Sequence, residues 1–303
     1  TVTSPLLHGR NPVTISEPSP ACIVLLWQHP ARHTLGWEHY DAVRLSRNHN
    51  LITSNEGAIL RNATIGIAGL NVGNPAAVCL AQEGIGHTLR MADNDNLSLS
   101  NLNRFRAGLS ELGVNKAVLS ARQCTEINPY LSLEVWDNGI TPETIGKFVS
   151  GLDVLIEEMD VPPLKLAIRE EAKKQRIPVI MVTGNGHDII LDVERYDIEP
   201  ECEILSGTLT PSVLTAVGSG TRTFDEKIQL AQNFMGSAFL CDRLNASFTE
   251  VGRTLIGIPQ LAEATFLRGA VLAHTARQII LGGDVKSGRY AFGLSDLYNN
   301  KRV

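Results

Sequence analysis

The stretch "TIGIAGLNVGNPAAVCLAQEG", residues 64–84, constrains the fold more than any other. A β-branched run ending in Gly69 reads as a strand, and a helical pattern of small and apolar residues follows within a few positions. Asn74 suits the cap of that helix, and Pro75 its first position, where a missing N–H costs no hydrogen bond. A strand that passes through glycine into a helix is half of a crossover, and crossovers join parallel strands.

The alternation then repeats. "HTLRMAD" (87–93) reads as a strand ending in an acid, and "VNKAVLSARQCTEIN" places Val114, Val118, Ala121 and Ile127 on one helical face. "PYLSLEVW" supplies a third strand; "DVLIEEMD" (153–160), a helix over 164–175 and "IPVIMVT" (177–183) continue the series. The reading is α/β: a Rossmann-like, doubly wound, mainly parallel sheet with helices on both faces. The C-terminal part is mixed, loop-rich to about 224, with helical patterns over 226–245 and 259–281 and a short closing strand in "RYAFGL". Residues 1–40, punctuated by Pro5, Pro12, Pro18, Pro20 and Pro30, read as an irregular arm or lead-in. The sequence does not begin with Met, so a processed chain and a piece of a longer one both stay open.

Charge narrows the partners. A net charge of -5 and a pI near 5.9 argue against nucleic acid or an anionic membrane as the main partner. "CIVLLW" (22–27) is too short to span a bilayer. The five cysteines are scattered without a C-x-x-C pair, which suits reduced thiols. A cytoplasmic location is expected.

In such a sheet, ligands bind beyond the carboxyl ends of the strands. Polar strand ends fall at Gly69–Asn74, Asp93–Asp95, Asp160 and Thr183–Asp188. Asp93 follows Gly69 at the interval of an acid that bonds a ribose hydroxyl, and the helix after the glycines offers phosphate its N–H groups. The dinucleotide fingerprint, however, wants G-x-G-x-x-G. Asn71 fills the middle slot, and three residues separate Gly69 from Gly73 where the fingerprint needs more. A mononucleotide fits this loop better than NAD or FAD; a plain strand-to-helix turn fits it too.

The next stretch, "DNDNLSLSNLNR" (93–104), resembles the ThiF/MoeB family of adenylating enzymes, related to ubiquitin-activating enzymes, whose hallmark is an acidic pair followed by V-x-x-S-N-L-x-R. "RLSRN" (44–48), "LGVNKAVLSARQCTEINP", "LDVLIEEMD", "GIPQLAEATFLRGAVLAHTARQIILG" and "SGRYAFGLSDL" extend the resemblance over about 44–295. It implies a ThiF-type adenylation domain over 41–303, with a nucleotide-binding half at about 55–195 and a substrate or dimer half at about 196–303. The implied activity is ATP-dependent adenylyl transfer of the kind that activates ubiquitin-like modifiers. A carboxylate joins the α-phosphate of ATP and pyrophosphate leaves. Carboxylates are ionised at neutral pH, so catalysis reduces to positioning and neutralising phosphate charge.

By the same resemblance Asp93 holds the ribose, Arg104 and Lys116 the phosphates, and Asp160 a Mg²⁺ ion, with Gly69, Asn71, Gly73, Asp95, Asn101 and Asn103 around the nucleotide. Arg47 matches an arginine that reaches into the neighbouring subunit's site, which implies a homodimer. The partner is a carboxylate: the C terminus of a carrier protein, a peptide or a small molecule. The absent C-x-x-C pairs imply no structural zinc. "IEEMD…REEAKKQRIPVIMVT…LDVERYD" further resembles a branch found beside nitroreductase-like domains.

Other residues carry plainer readings. Cys202, in "EPECEIL", lies where family members place a nucleophilic cysteine, but Glu201 and Glu203 would raise its pKa. Cys79 and Cys124 read as packing residues, and His187 as an incidental loop histidine. His274 reads as a core or interface residue, and Gly184 and Gly186 as turn glycines. Successive strand residues point opposite ways, so one of Glu157 and Glu158 could face the site, although a structural or supporting role suits the pair better. Two other classes remain: an NAD(P)-binding oxidoreductase, which leaves "SNLNR" unexplained, and a catalytically silent nucleotide-binding partner subunit.

Overall fold

A computed structural model describes residues 20–23, 32–218, 223–236 and 239–298. The chain divides into two compact units, 1–55 and 56–303. In the first, strands β1 (Pro20–Ile23) and β2 (Arg32–Leu35) pair antiparallel, so the stretch expected to be irregular contains a small ladder. Helix α1 (Trp37–Arg44) follows, with Arg44 2.8 Å from Asp41 one turn back.

The second unit is built on a seven-stranded sheet with the order β5-β4-β3-β6-β7-β8-β9. Its strands are β3 (Thr64–Ala68), β4 (Thr88–Ala92), β5 (Ser132–Trp136), β6 (Val154–Glu157), β7 (Val179–Asn185), β8 (Asp188–Glu194) and β9 (Gly288–Gly293). The pairs from β5 through β7 are parallel; β7-β8 and β8-β9 are antiparallel. The helices are α2 (Ser54–Arg61), α3 (Leu70–Glu83), α4 (Lys116–Ile127), α5 (Ile145–Val149), α6 (Pro162–Gln175), α7 (Pro211–Gly218), α8 (Phe224–Met235), α9 (Asp242–Ser247) and α10 (Ala262–Ile280). The α/β, mainly parallel architecture read from the sequence is the one found.

Strand alternation assigns the two faces. Ala68, Leu155 and Val179 pack with Phe148, Val149, Ile168 and Ala172 of α5 and α6. On the other face, a Cβ at Gly73 would lie 2.6 Å from Ile67 Cγ2, so this glycine lets α3 lie close on β3. Gly269 does the same between α10 and α3, where a Cβ would meet Pro75 Cβ at 2.4 Å. Central strands buried on both faces read as apolar runs, which is how Val154, Leu155 and Ile156 of β6 read.

Several local expectations differ from the fold. Helix α3 begins at Leu70, with Gly69 as its cap, so Asn71 and Gly73 belong to its first turns and Pro75 lies inside. The buried face of α4 is Ala117, Ser120, Ala121 and Cys124 with Lys116 and Leu119; Val114 and Val118 are half-buried. The polar strand end at Thr183–Asp188 is a hairpin between β7 and β8. The helical pattern over 226–245 breaks into α8 and α9, because Gly236, at φ +82, turns the chain after Met235.

Candidate active site

The order of the sheet reverses at β3, whose neighbours are β4 on one side and β6 on the other. Crossovers leave in opposite directions there and open a crevice at the carboxyl ends. Gly69, Asp93 and Glu158–Asp160 follow these three strand ends. Gly69 has φ +91, and a Cβ on it would lie 2.4 Å from the Glu158 carbonyl oxygen, so the crossing of the strand ends requires glycine. Gly69 N donates to Ala92 O at 2.8 Å, and Glu158 N to Ala68 O at 2.7 Å, which pins β3 between its neighbours.

Asp93 explains why α3 starts early. Its Oδ2 accepts from Leu70 N at 2.7 Å and its Oδ1 from Asp95 N at 2.8 Å. A helix cap supplied from another strand is invisible to local cap rules, which looked to Asn74. Instead the Asn74 side chain donates to Ser120 and Gln123. Burial pushes the Asp93 carboxyl up, against the two N–H groups and Lys116. Each oxygen keeps a second lone pair for a ligand hydroxyl.

Asn115 ties this corner together. Its Oδ1 accepts from Ala117 N and Val118 N, and its Nδ2 donates to Asp93 O and Asp137 O at 2.8 and 3.0 Å. Lys116 thereby starts α4 with its stem buried, and its Nζ lies 2.8 Å from Asp95 Oδ2. Asn101 closes the turn before α4: its Oδ1 accepts from Ser98 N and Oγ. Arg104 Nη1 donates to Ser100 O (3.2 Å) and Asn103 Oδ1 (2.8 Å), and its buried Nε has no partner. Burial lowers the Arg104 pKa, and Asp160 pulls it back. Asp160 is exposed and makes no hydrogen bond or ion pair among the described residues. Helix α6 is capped at Val161, so Asp160 does not serve as its cap.

Two groups line the far wall: Glu158, one of the acidic pair considered in the sequence, and Arg268, which the sequence reading passed over. Glu158 is buried, and its Oε1 accepts from Val182 N at 2.6 Å. Burial pushes its carboxyl up to about 8, more than Lys165, Val182 N and Arg268 pull it down. Arg268 of α10 is 4% exposed. Its Nη2 donates to Thr265 Oγ1 (2.7 Å) and Gln260 Oε1 (3.1 Å), while its Nε is buried without a partner. Gly184 makes room for it: a Cβ there would lie 3.1 Å from Arg268 Nη1. Gly184 is thus a strand residue that clears a guanidinium, and Gly186, at φ +70, is the turn glycine. An arginine inside an apolar helical run was the available signal.

Glu157 points to the other face, where Lys165 and Arg169 hold it. Arg47 lies in the first unit, in the 3-10 turn Ser46–Asn48. His187 is in the hairpin turn, 3.7 Å from Asp188, and His274 is exposed on α10 beside Arg277, outside the core. Cys202 is half-buried, and burial, then Glu194 and Glu199 rather than Glu201 and Glu203, push its thiol up. Burial pushes Cys79 to about 11 and Cys124 to about 12, as expected of packing residues.

Residues 45–188 match the ThiF family. This stretch is thus a ThiF-family domain. An uncharacterized protein of Mycobacterium tuberculosis is 38% identical over 269 residues, 89% of this chain and 37% of that protein. The tRNA threonylcarbamoyladenosine dehydratase of Escherichia coli is 32% identical over 127 residues, covering 41% of this chain and 46% of the relative. The sulfur carrier protein ThiS adenylyltransferase of the same organism is 32% identical over 123 residues, covering 40% and 48%. The chain therefore spans less than half the length of these curated relatives. Among solved structures, PaaA superposes with a TM-score of 0.62 at 20% identity, covering 86% of this chain and 82% of PaaA. The E. coli dehydratase in complex with ATP gives 0.56 at 18%, covering 80% and 95%. These two likenesses are of fold. None of the described helices is long and apolar enough to cross a membrane.

Proposed function

We propose that this ThiF-family chain is an ATP-dependent adenylyltransferase that activates a carboxylate as an acyl-adenylate. The observation that carries the reading is the convergence of Asp93, Gly69, Arg104 and Asp160 on one switch-point crevice, with a cation, Lys116, at its edge. The sequence relatives named as adenylyltransferases and the neighbour solved with ATP support it.

The residues present fit the nucleotide. Arg104 keeps a buried, unpartnered Nε, and α3 presents its N-terminus beside Asp93. Asp93 would accept from a ribose hydroxyl, and Arg104 and Lys116 would hold phosphate oxygens, Lys116 exchanging its exposed partner Asp95 for phosphate. Asp160, a free carboxylate at the end of β6, suits Mg²⁺, which when bound supplies further charge neutralisation. An acceptor carboxylate oxygen forms the new bond to the α-phosphorus as the bond to the bridging oxygen breaks. Pyrophosphate departs with that electron pair. No proton moves, so the chain's own work is orientation and charge stabilisation.

The acceptor is a carboxylate at the end of a carrier protein or peptide, or on a small molecule, and Arg47 acts in trans within a homodimer. Calorimetry with Mg-ATP and NAD tests the nucleotide: binding of NAD without ATP would sink the reading. With a carboxylate acceptor, AMP must form and must be lost in Asp160→Asn. Mixing Arg47→Ala with Asp160→Asn subunits should restore part of the activity, and no recovery would remove the action in trans.

A further inference from the structure

Arg104 and Arg268 are far apart in the sequence and share an unusual state. Each has a buried Nε without a partner among the described residues, Arg268 within a buried side chain and Arg104 within a half-buried one. Burial lowers the pKa of Arg268, Glu158 pulls it back up, and the Arg104 charge lowers it further. Two like charges held within range of each other cost free energy unless an anion sits between them. Asp160 and Glu158 lie near enough to offset part of this, but among the described residues neither makes a hydrogen bond or ion pair to either guanidinium.

The two arginines are also joined by covalent and hydrogen-bonded links. Arg104 Nη1 donates to Asn103 Oδ1, Asn103 Nδ2 to Gln260 O, and Arg268 Nη2 to Gln260 Oε1. Asn103 and Gln260 thus fix the turn that bears Arg104 to the entry of α10. Arg268 Nη2 is occupied by Gln260 and Thr265, whereas Nη1, lying over Gly184, has no hydrogen-bond partner among the described residues. Gly184 sits at the carboxyl end of β7, as Asp93 does beyond β4. The order β4-β3-β6-β7 places three strand spacings between them, about 14 Å, the order of a nucleotide laid from ribose to terminal phosphate.

Resting on the adenylation reading, we infer that Arg268 is a second phosphate-binding arginine, paired with Arg104 to hold the polyphosphate end of ATP that leaves as pyrophosphate. Asp93 marks the nucleoside end of the same crevice and Gly184 the vacancy that admits the guanidinium.

Calorimetry of the full chain with inorganic tripolyphosphate, Mg-ATP and adenosine tests this. Arg268→Gln should weaken tripolyphosphate and Mg-ATP about tenfold or more and leave adenosine within about twofold, as expected for loss of a charge-assisted contact. Arg268→Lys should recover part of the affinity. Circular dichroism confirms that each variant is folded, and if Arg268→Gln does not fold, Gly184→Ala, which crowds Nη1, carries the test with the same expectation. Unchanged Mg-ATP and tripolyphosphate affinity, or an equal loss for adenosine, would overturn the role of Arg268 while leaving adenylation standing. Wild-type binding of tripolyphosphate but not Mg-ATP, lost in Arg268→Gln, would overturn adenylation and leave the anion site. Binding of neither by the wild type would overturn both.

Discussion

Glu157 and Glu158 are neighbours in the chain and both are buried, yet their surroundings are opposite. On the α6 face, Glu157 accepts from Lys165 Nζ at 2.9 and 3.0 Å, from the Arg169 guanidinium and from Met159 N. Arg169 also holds Glu194 at 2.9 Å, and Glu194 in turn accepts from the Tyr196 hydroxyl and Leu205 N. Burial alone would raise the Glu157 carboxyl, but Lys165 and Arg169 outweigh it and hold the group below its usual value. On the α10 face, Glu158 has one backbone N–H and no ion pair, and burial wins. One strand end thus carries a charge network satisfied within the protein and, on the other side, charged groups left for a ligand. The first is structural; the second is where chemistry can be added.

That contrast can be broken from either side, beginning with the largest expected effect on folding stability. Arg169→Met leaves Glu157 and Glu194 short of a buried partner and should cost about 3–5 kcal/mol in urea denaturation. A loss well under this would mean that the network is not satisfied internally. Glu158→Gln addresses the other face. Because its folded-state carboxyl is raised from 4.5 to about 8, the folded chain keeps a proton that the unfolded chain releases, and stability falls as pH rises through that window. The variant should lose this slope, at most about 1.4 kcal/mol per pH unit, and equal slopes in both proteins would refute the contrast.

Smaller effects separate capping from ligand binding. Asp93→Asn weakens the cap on Leu70 N and should cost about 1 kcal/mol in thermal or chemical denaturation. Asp160→Asn should leave stability within about 0.5 kcal/mol, since the side chain is exposed and unpaired, while abolishing acceptor-dependent AMP formation. A stability loss as large as that of Asp93→Asn would show that Asp160 is structural.

The sequence by itself determined the sheet, its parallel order through β7 and the residues at its strand ends, because apolar periodicity and glycine turns are local properties. The motif "SLSNLNR" likewise put forward Asn101, Asn103 and Arg104 as candidates without coordinates. Tertiary structure decided the rest. Helix α3 starts at Leu70 because Asp93 caps it from another strand, and β8 turns back antiparallel on β7. Arg268 joins the site because Gly184 and Gln260, both distant in sequence, receive its guanidinium. A local pattern reports on the residues one or two turns away. Burial, charge pairing and the meeting of β7 with α10 depend on contacts that only the folded chain brings together.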